Sequence, residues 1–355
     1  MVKISENEAV EALSSIVAAV PALELGEWSS ELSSGRTLFD FVLEVSASGR
    51  ERHLVCAVTD NGQPRMVRQR VWPLLQALAT RGSNATAVLI APYLSPEARA
   101  ICVDHHVGYL DMEGNCRIAF DGVYIERAVP TKPAAERREL KSLFKPKAAQ
   151  ILRVLLREPG HRWRGTDLAE QADVSVGLVS NVRKALIAKE WAEAAEQGLT
   201  LTRPDALLDA WQASYEPPPG ERLTFYTPLH GAAFDEAAKH AFAEPADVLS
   251  HAMLGSYSAA RWLAPFAKSG TQYLYADAVG LQRLIKHCKL KPASSGPNVE
   301  VCLLVDDGLF RDVDLPAPGI VTTGPVQTYL DLMVSGERGQ EAAAFLRETK
   351  LRWKE

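Results

Sequence analysis

Residues 146–211 leave this chain the fewest structural choices. Ala149, Leu152, Leu155 and Leu156 recur at helical spacing and stop at the breaker Glu158-Pro159-Gly160. Then comes Thr166-Asp167-Leu168-Ala169-Glu170-Gln171-Ala172-Asp173-Val174-Ser175-Val176-Gly177-Leu178-Val179-Ser180-Asn181-Val182. The pattern predicts a short helix capped by Thr166, a tight turn at Asp173 and a second helix capped by Ser175. Ala169 supplies the small residue that two closely crossing helices need. Asp173 stands where the turn asks for a left-handed backbone, which aspartate tolerates at modest cost. Leu178, Val179, Val182 and Leu186 form the inward stripe. A hairpin over 191–201 turns at Glu196-Gln197-Gly198, and a last helix ends in Leu207-Leu208-Asp209-Ala210-Trp211. Helix, helix, turn, helix and hairpin is the order of a winged helix-turn-helix. Trp163, Trp191 and Trp211 read as its core anchors.

Charge points the same way. Residues 131–190 hold 13 Lys and Arg against 7 Asp and Glu, in a chain whose net charge is −5. A basic island in an acidic chain is the footprint a phosphate-binding module leaves. The second helix turns Ser175, Val176, Gly177, Ser180, Asn181, Arg183 and Lys184 outward, short polar and basic residues that suit a major groove. Asn181 is placed to read an adenine edge, and Arg183 and Lys184 to contact phosphate. Lys145, Lys147, Arg162, Arg164 and Thr166 extend this candidate surface towards the first helix and the linker. The wing carries Glu193 and Glu196 and is a poor grip for phosphate. The expected partner is DNA, double-stranded, bound by a homodimer, because paired recognition helices multiply weak half-site affinities. A winged helix that binds protein is the alternative.

At 355 residues the chain can build several cores, and its fold class is α/β multi-domain. The expected division is a domain over 1–130, a charged linker helix over 131–145, the winged helix over 146–215 and an α/β or α+β domain over 220–355. No apolar run approaches the roughly 18 residues of a membrane span, and Met1-Val2-Lys3-Ile4-Ser5-Glu6 is acidic rather than signal-like, so the cytoplasm is expected. Cys56, Cys102, Cys116, Cys288 and Cys302 are dispersed, without a disulfide or zinc spacing. No metal, cofactor or catalytic residue is expected.

In the first third, a helical stripe of Ala9, Val10, Leu13, Ile16, Val17 and Val20 ends at Pro21. Strands over 38–45 and 52–59 flank a turn at 46–49. A helix opens at Pro64, a strand covers 85–90, and Ser95-Pro96-Glu97 starts another helix. This order, with Leu94-Ser95-Pro96-Glu97-Ala98-Arg99 and Val107-Gly108-Tyr109-Leu110-Asp111-Met112-Glu113-Gly114-Asn115, resembles the restriction-endonuclease-like fold. Active members of that fold face an Asp with a Glu-x-Lys on the next strand, and the two carboxylates hold a divalent metal. Asp40 is the one plausible first acid. Pairing Ser46 with Arg50 sets Asp40 against Cys56, so the second acid and the lysine fall on Ala57 and Thr59. Glu51-x-His53 lies about five residues away, or roughly 16 Å at about 3.3 Å per residue. The expectation is a dismantled site, with a metal-dependent nuclease as the alternative.

The final third begins after Pro217-Pro218-Pro219-Gly220 and alternates strands and helices. Leu254-Gly255-Ser256 invites comparison with nucleotidyltransferases, but no acid follows before Asp277. The helix-turn-helix, Leu207-Leu208-Asp209-Ala210-Trp211, Gln327-Thr328-Tyr329-Leu330-Asp331-Leu332 and Arg338-Gly339-Gln340-Glu341-Ala342-Ala343 together resemble the AbiEi-type antitoxin and transcriptional-regulator group over most of residues 144–347. That resemblance implies promoter DNA binding through the winged helix and an antitoxin role toward a nucleotidyltransferase toxin. The extra N-terminal domain and the acidic wing depart from the group.

Overall fold

The computed structural model describes residues 3–30, 38–130, 132–243, 251–266 and 269–353. The chain divides into two compact units, residues 1–138 with 186–190, and residues 139–185 with 191–355.

In the first unit, Ser5 and Glu8 form a reciprocal capping box that starts α1 (Glu6–Ala18). Then follow β1 (Leu23–Ser30), β2 (Phe41–Ala47), β3 (Arg50–Val58), α2 (Pro64–Arg81), β4 (Ala85–Ala91), α3 (Pro96–Asp104), β5 (Gly108–Asp111), β6 (Cys116–Phe120), β7 (Val123–Arg127) and α4 (Ala134–Leu143). The seven strands lie in sequence order in one sheet. β3, β4 and β5 run parallel, and the flanking pairs are antiparallel. Period-two alternation divides the core. Phe41, Leu43 and Val45 join Leu13 and Val17 of α1, whereas Val42, Val55 and Ala57 join Val71 and Leu74 of α2 and Cys102 of α3. Covered on both faces, β4 reads as one apolar run.

Two expectations need correction. The strand β1 was not foreseen, because its residues are almost all exposed and show no alternation. Backbone pairing to β2, bulged between Leu25 and Trp28, holds it instead. The hairpin register differs by one residue: Ala47 pairs with Arg50, and Phe41 with Cys56. The two-residue turn Ser48-Gly49 has positive φ at both positions, 52° and 77°, the geometry of a tight hairpin.

The Asp111–Asn115 stretch has a structural explanation. Asp111, fully buried, accepts the amides of Leu94 and Asn115 and the Asn115 side chain. Buried Asn115 in turn accepts from Arg99 at 2.8 Å and from the Val129 amide at 2.7 Å. These residues clip the start of α3 to the β5–β6 turn.

The second unit contains α5 (Pro146–Arg157), α6 (Gly165–Gln171), α7 (Val176–Ala188, whose last turn from Leu186 belongs to the first unit), β8 (Ala192–Ala195), β9 (Gly198–Leu201) and α8 (Pro204–Gln212). It continues with β10 (Gly220–Tyr226), α9 (Ala232–Ala243), β11 (Ala252–Leu254), α10 (Ser256–Leu263), β12 (Gln272–Ala276), α11 (Ala278–His287), β13 (Lys291–Pro292) and β14 (Val299–Leu304). A single 3-10 turn over Asp307–Arg311, then β15 (Val313–Ala317), β16 (Ile320–Thr323), α12 (Pro325–Met333) and α13 (Glu337–Lys350) complete it. Its larger sheet is mixed, in the order β13-β10-β14-β12-β11-β16-β15. Gly255 needs its missing side chain, since a Cβ there would stand 2.7 Å from the Tyr275 ring. That contact gives Leu254-Gly255-Ser256 a packing role. Among the described residues, no helix is long and apolar enough to cross a membrane.

Candidate nucleic-acid interface

The helix-turn-helix forms as its residues dictate. Asp173 takes φ +49° at the turn, and the Ser175 hydroxyl accepts the Leu178 amide at 3.2 Å to cap α7. Leu168, Ala169, Ala172, Val179, Val182 and Leu186 are buried, and Leu178 is half-buried. One boundary moves. The backbone of Arg164 occupies the cap position of α6, and Thr166 is inside the helix, donating to Asp167 Oδ1 at 2.9 Å. The helix opens at Gly165 without a side-chain cap hydrogen bond, so Thr166 is not its cap.

Every candidate contact residue is exposed: Lys145, Lys147, Arg162, Arg164, Thr166, Ser175, Gly177, Ser180, Asn181, Arg183 and Lys184. On α7, residues 177, 180, 181 and 184 share a face at helical spacing, and Arg183 lies beside them. Val176, also exposed at 54%, stands at the start of the same helix and offers a methyl contact of the kind that reads thymine. Glu193 and Glu196 in the wing are exposed, and the wing turn binds Arg162 through Gln197. Lys145 and Lys147 belong to a different neighbourhood. Lys147 reaches Asp306 at 3.4 Å, and Lys145 lines a cavity below the first helix.

The basic island is less available than its count suggests. Arg153 is buried, Arg157 binds Asp312 at 2.6 Å, and Lys189 is buried against Glu136 at 2.8 Å. Arg153 thus turns inward, whereas Arg157 stays exposed and ion-paired. An inward Arg at position 153 breaks no periodic rule, which is why the sequence concealed it. In α4, Glu136 is buried and forms a hydrogen-bonded cluster with Gln63 and Lys189 in the first unit.

The second unit fixes α5 through a polar network. Arg153 donates to Gln327 at 2.9 Å, and Gln327 donates to Asp331 at 2.8 Å and to the Tyr215 hydroxyl at 2.7 Å. Tyr215 and Tyr275 both donate to the Asp331 carboxylate. Burial raises the Asp331 carboxyl above its ordinary range, against these hydrogen bonds and the positive charge of Arg153. Burial also lowers the Arg153 guanidinium and, with the charge of Asp331, pushes the Tyr215 hydroxyl up. Arg153 lies over the Trp211 ring, which stacks on Phe144 at 5.7 Å with an interplanar angle of 3°. Arg347 of α13 holds Asp205 and Asp209 of α8 at 2.6 and 2.5 Å. Arg311 reaches the turn residue Asp173 at 2.8 Å. Gly339 permits close helix packing, since a Cβ would meet the Leu332 carbonyl oxygen of α12. The stretches around Asp209, Gln327 and Gly339 thus tie α5 and α8 to α12 and α13.

Residues 200–352 match the family of transcriptional regulators described as AbiEi antitoxin, type IV TA system. The match begins in β9 and takes in α8, the larger sheet and all of α13. α6 and α7 lie before the matched residues. No curated protein and no solved structure matches the chain.

In the first unit, Asp40 accepts from the Val58 amide at 2.6 Å and from the Arg70 guanidinium. With the corrected register Asp40 comes opposite Ala57, so the positions where a second acid and a lysine would be sought move to half-buried Val58 and exposed Asp60, neither of which supplies the residue required there. Among the described residues no three His, Cys, Asp or Glu side chains converge on a common point.

Proposed function

We propose that this chain is a DNA-binding transcriptional regulator of the AbiEi antitoxin type that performs no chemistry of its own. The observation that carries the reading is the outer face of α7. Its capped start, its exposed Ser180, Asn181, Arg183 and Lys184, and its apolar inner stripe combine groove-sized side chains with phosphate-binding charge. Arg164 and Thr166 flank that face, and a homodimer would place two such helices on successive half-sites. The family description of residues 200–352 supports a regulator role independently of the motif. Gel shifts against random duplex and single-stranded DNA at 50 and 200 mM salt test it. Duplex binding should fall about 10³-fold or more between those salts if some six phosphates are contacted. Equal, salt-insensitive retention of both DNAs would contradict it.

The second reading is a protein-contact antitoxin, favoured by the same family description. Its partner would be a toxin, captured by the full chain from a co-expressing cell. A toxin that neither copurifies nor is neutralised removes that reading.

The N-terminal unit is proposed to be an inactive restriction-endonuclease-like scaffold. Arg70 and the Val58 amide occupy the one candidate acid, Asp40, where a metal would need it free. Plasmid incubated with the protein and Mg²⁺ or Mn²⁺ should stay supercoiled. Nicking that disappears in Asp40→Asn would restore the nuclease reading.

A further inference from the structure

The segment that joins β14 to β15 leaves the larger sheet and meets α5. Leu309 and Phe310 in its 3-10 turn are buried in one cluster with Met253, Tyr275 and Val321 of the sheet. Its polar residues meet the helix instead. Lys147 reaches Asp306 at 3.4 Å, and Arg157 donates to Asp312 at 2.6 Å and to the Val313 carbonyl at 3.2 Å. Gly308 packs on Gln150, since a Cβ there would stand 1.5 Å from the amide nitrogen. The spacing of residues 147, 150 and 157 puts them on one face of α5. The turn is thus seated on both the sheet and the helix that precedes α6.

So seated, it carries Arg311 to the helix-turn-helix. Arg311 is ion-paired with Asp173 at 2.8 Å, and both side chains keep solvent access, 32% and 54%. Of the acids in its own segment, Asp306 is paired with Lys147 and Asp312 with Arg157, whereas Arg311 turns to Asp173. Exposed pairs of this kind contribute little to stability. The position of this one matters more. Asp173 takes φ +49° at the tight turn, two residues before Ser175, the cap of α7. That end of a recognition helix is the one that contacts the groove. A bare carboxylate there would repel the phosphate backbone.

We propose that Arg311 is a positioning residue for DNA binding: it neutralises Asp173 at the turn and so lets the start of α7 approach phosphate. The inference rests on the reading of α7 as a DNA-binding helix. It also gives residues 200–352, which carry the family match, a direct hold on a motif that lies before them.

Duplex affinity against salt, measured for the full chain and four variants, tests this. Arg311→Ala bares one negative charge, so affinity should fall about tenfold at 50 mM salt and about fourfold at 200 mM, with the melting temperature unchanged. Asp173→Asn removes that charge and keeps a residue that accepts positive φ, so it should bind at least as tightly as the parent. Arg311→Ala/Asp173→Asn should return to the parent's affinity and salt slope. Arg311→Lys keeps the charge and should retain most of the affinity. The proposal is overturned if Arg311→Ala binds like the parent, or if the double variant stays as weak as Arg311→Ala, the result of a direct phosphate contact or a purely structural loss. A parent that binds no duplex overturns the reading of α7 and this inference with it. A parent that binds duplex no better than Arg311→Ala overturns the inference alone.

Discussion

Replacing Asp331 with alanine should destabilise the 139–355 unit by about 3–5 kcal/mol, the usual cost of stripping one member from a buried charged network. The substitution removes the acceptor for Tyr215, Tyr275 and Gln327 at once, and the negative charge that offsets buried Arg153. For a unit of about 200 residues the loss corresponds to a melting shift on the order of 10 °C, readable by circular dichroism. A change below about 1 kcal/mol would show that the network is ornamental to stability. The pH dependence follows from the raised folded-state carboxyl. Its contribution is fully present below the unfolded pKa, about 3.9, and is lost as pH rises through the higher folded value. The gap between parent and variant should therefore widen on acidification through that window. A gap that narrows would mean the folded carboxyl is lowered instead.

Several features were legible because they are local. The α6–turn–α7 segment announces itself through a 3.6-residue apolar period, a capping serine at 175 and an aspartate at 173 that tolerates positive φ. Other features lie beyond any local pattern. Strand β1 exposes nearly all its side chains, so pairing alone defines it. Arg153 looks like surface charge until Gln327, 174 positions later, is seen to receive it. Gln150 looks like an ordinary helix residue until its burial leaves both amide atoms unmatched. Family resemblance marked the stretch around Gln327 and Asp331 as significant, but only the fold explains it. Those residues complete a polar core that secures α5, the helix preceding α6 and α7.

The second large effect concerns that motif itself. Arg183 and Lys184 are exposed on α7 and lie clear of the buried stripe, so replacing both with alanine should leave stability within about 0.5 kcal/mol. The pair should nevertheless weaken binding to every duplex, because phosphate contacts carry charge without sequence information. Asn181→Ala should act differently, relaxing preference at one base position at a cost of about 1–3 kcal/mol.

The most direct measurement is duplex affinity as a function of salt for the parent and for Arg183→Ala/Lys184→Ala. If α7 grips two phosphates through these side chains, the slope of log affinity against log salt should flatten by about 1.8 in the variant. An unchanged slope and an unchanged affinity would contradict the assignment of this helix to DNA.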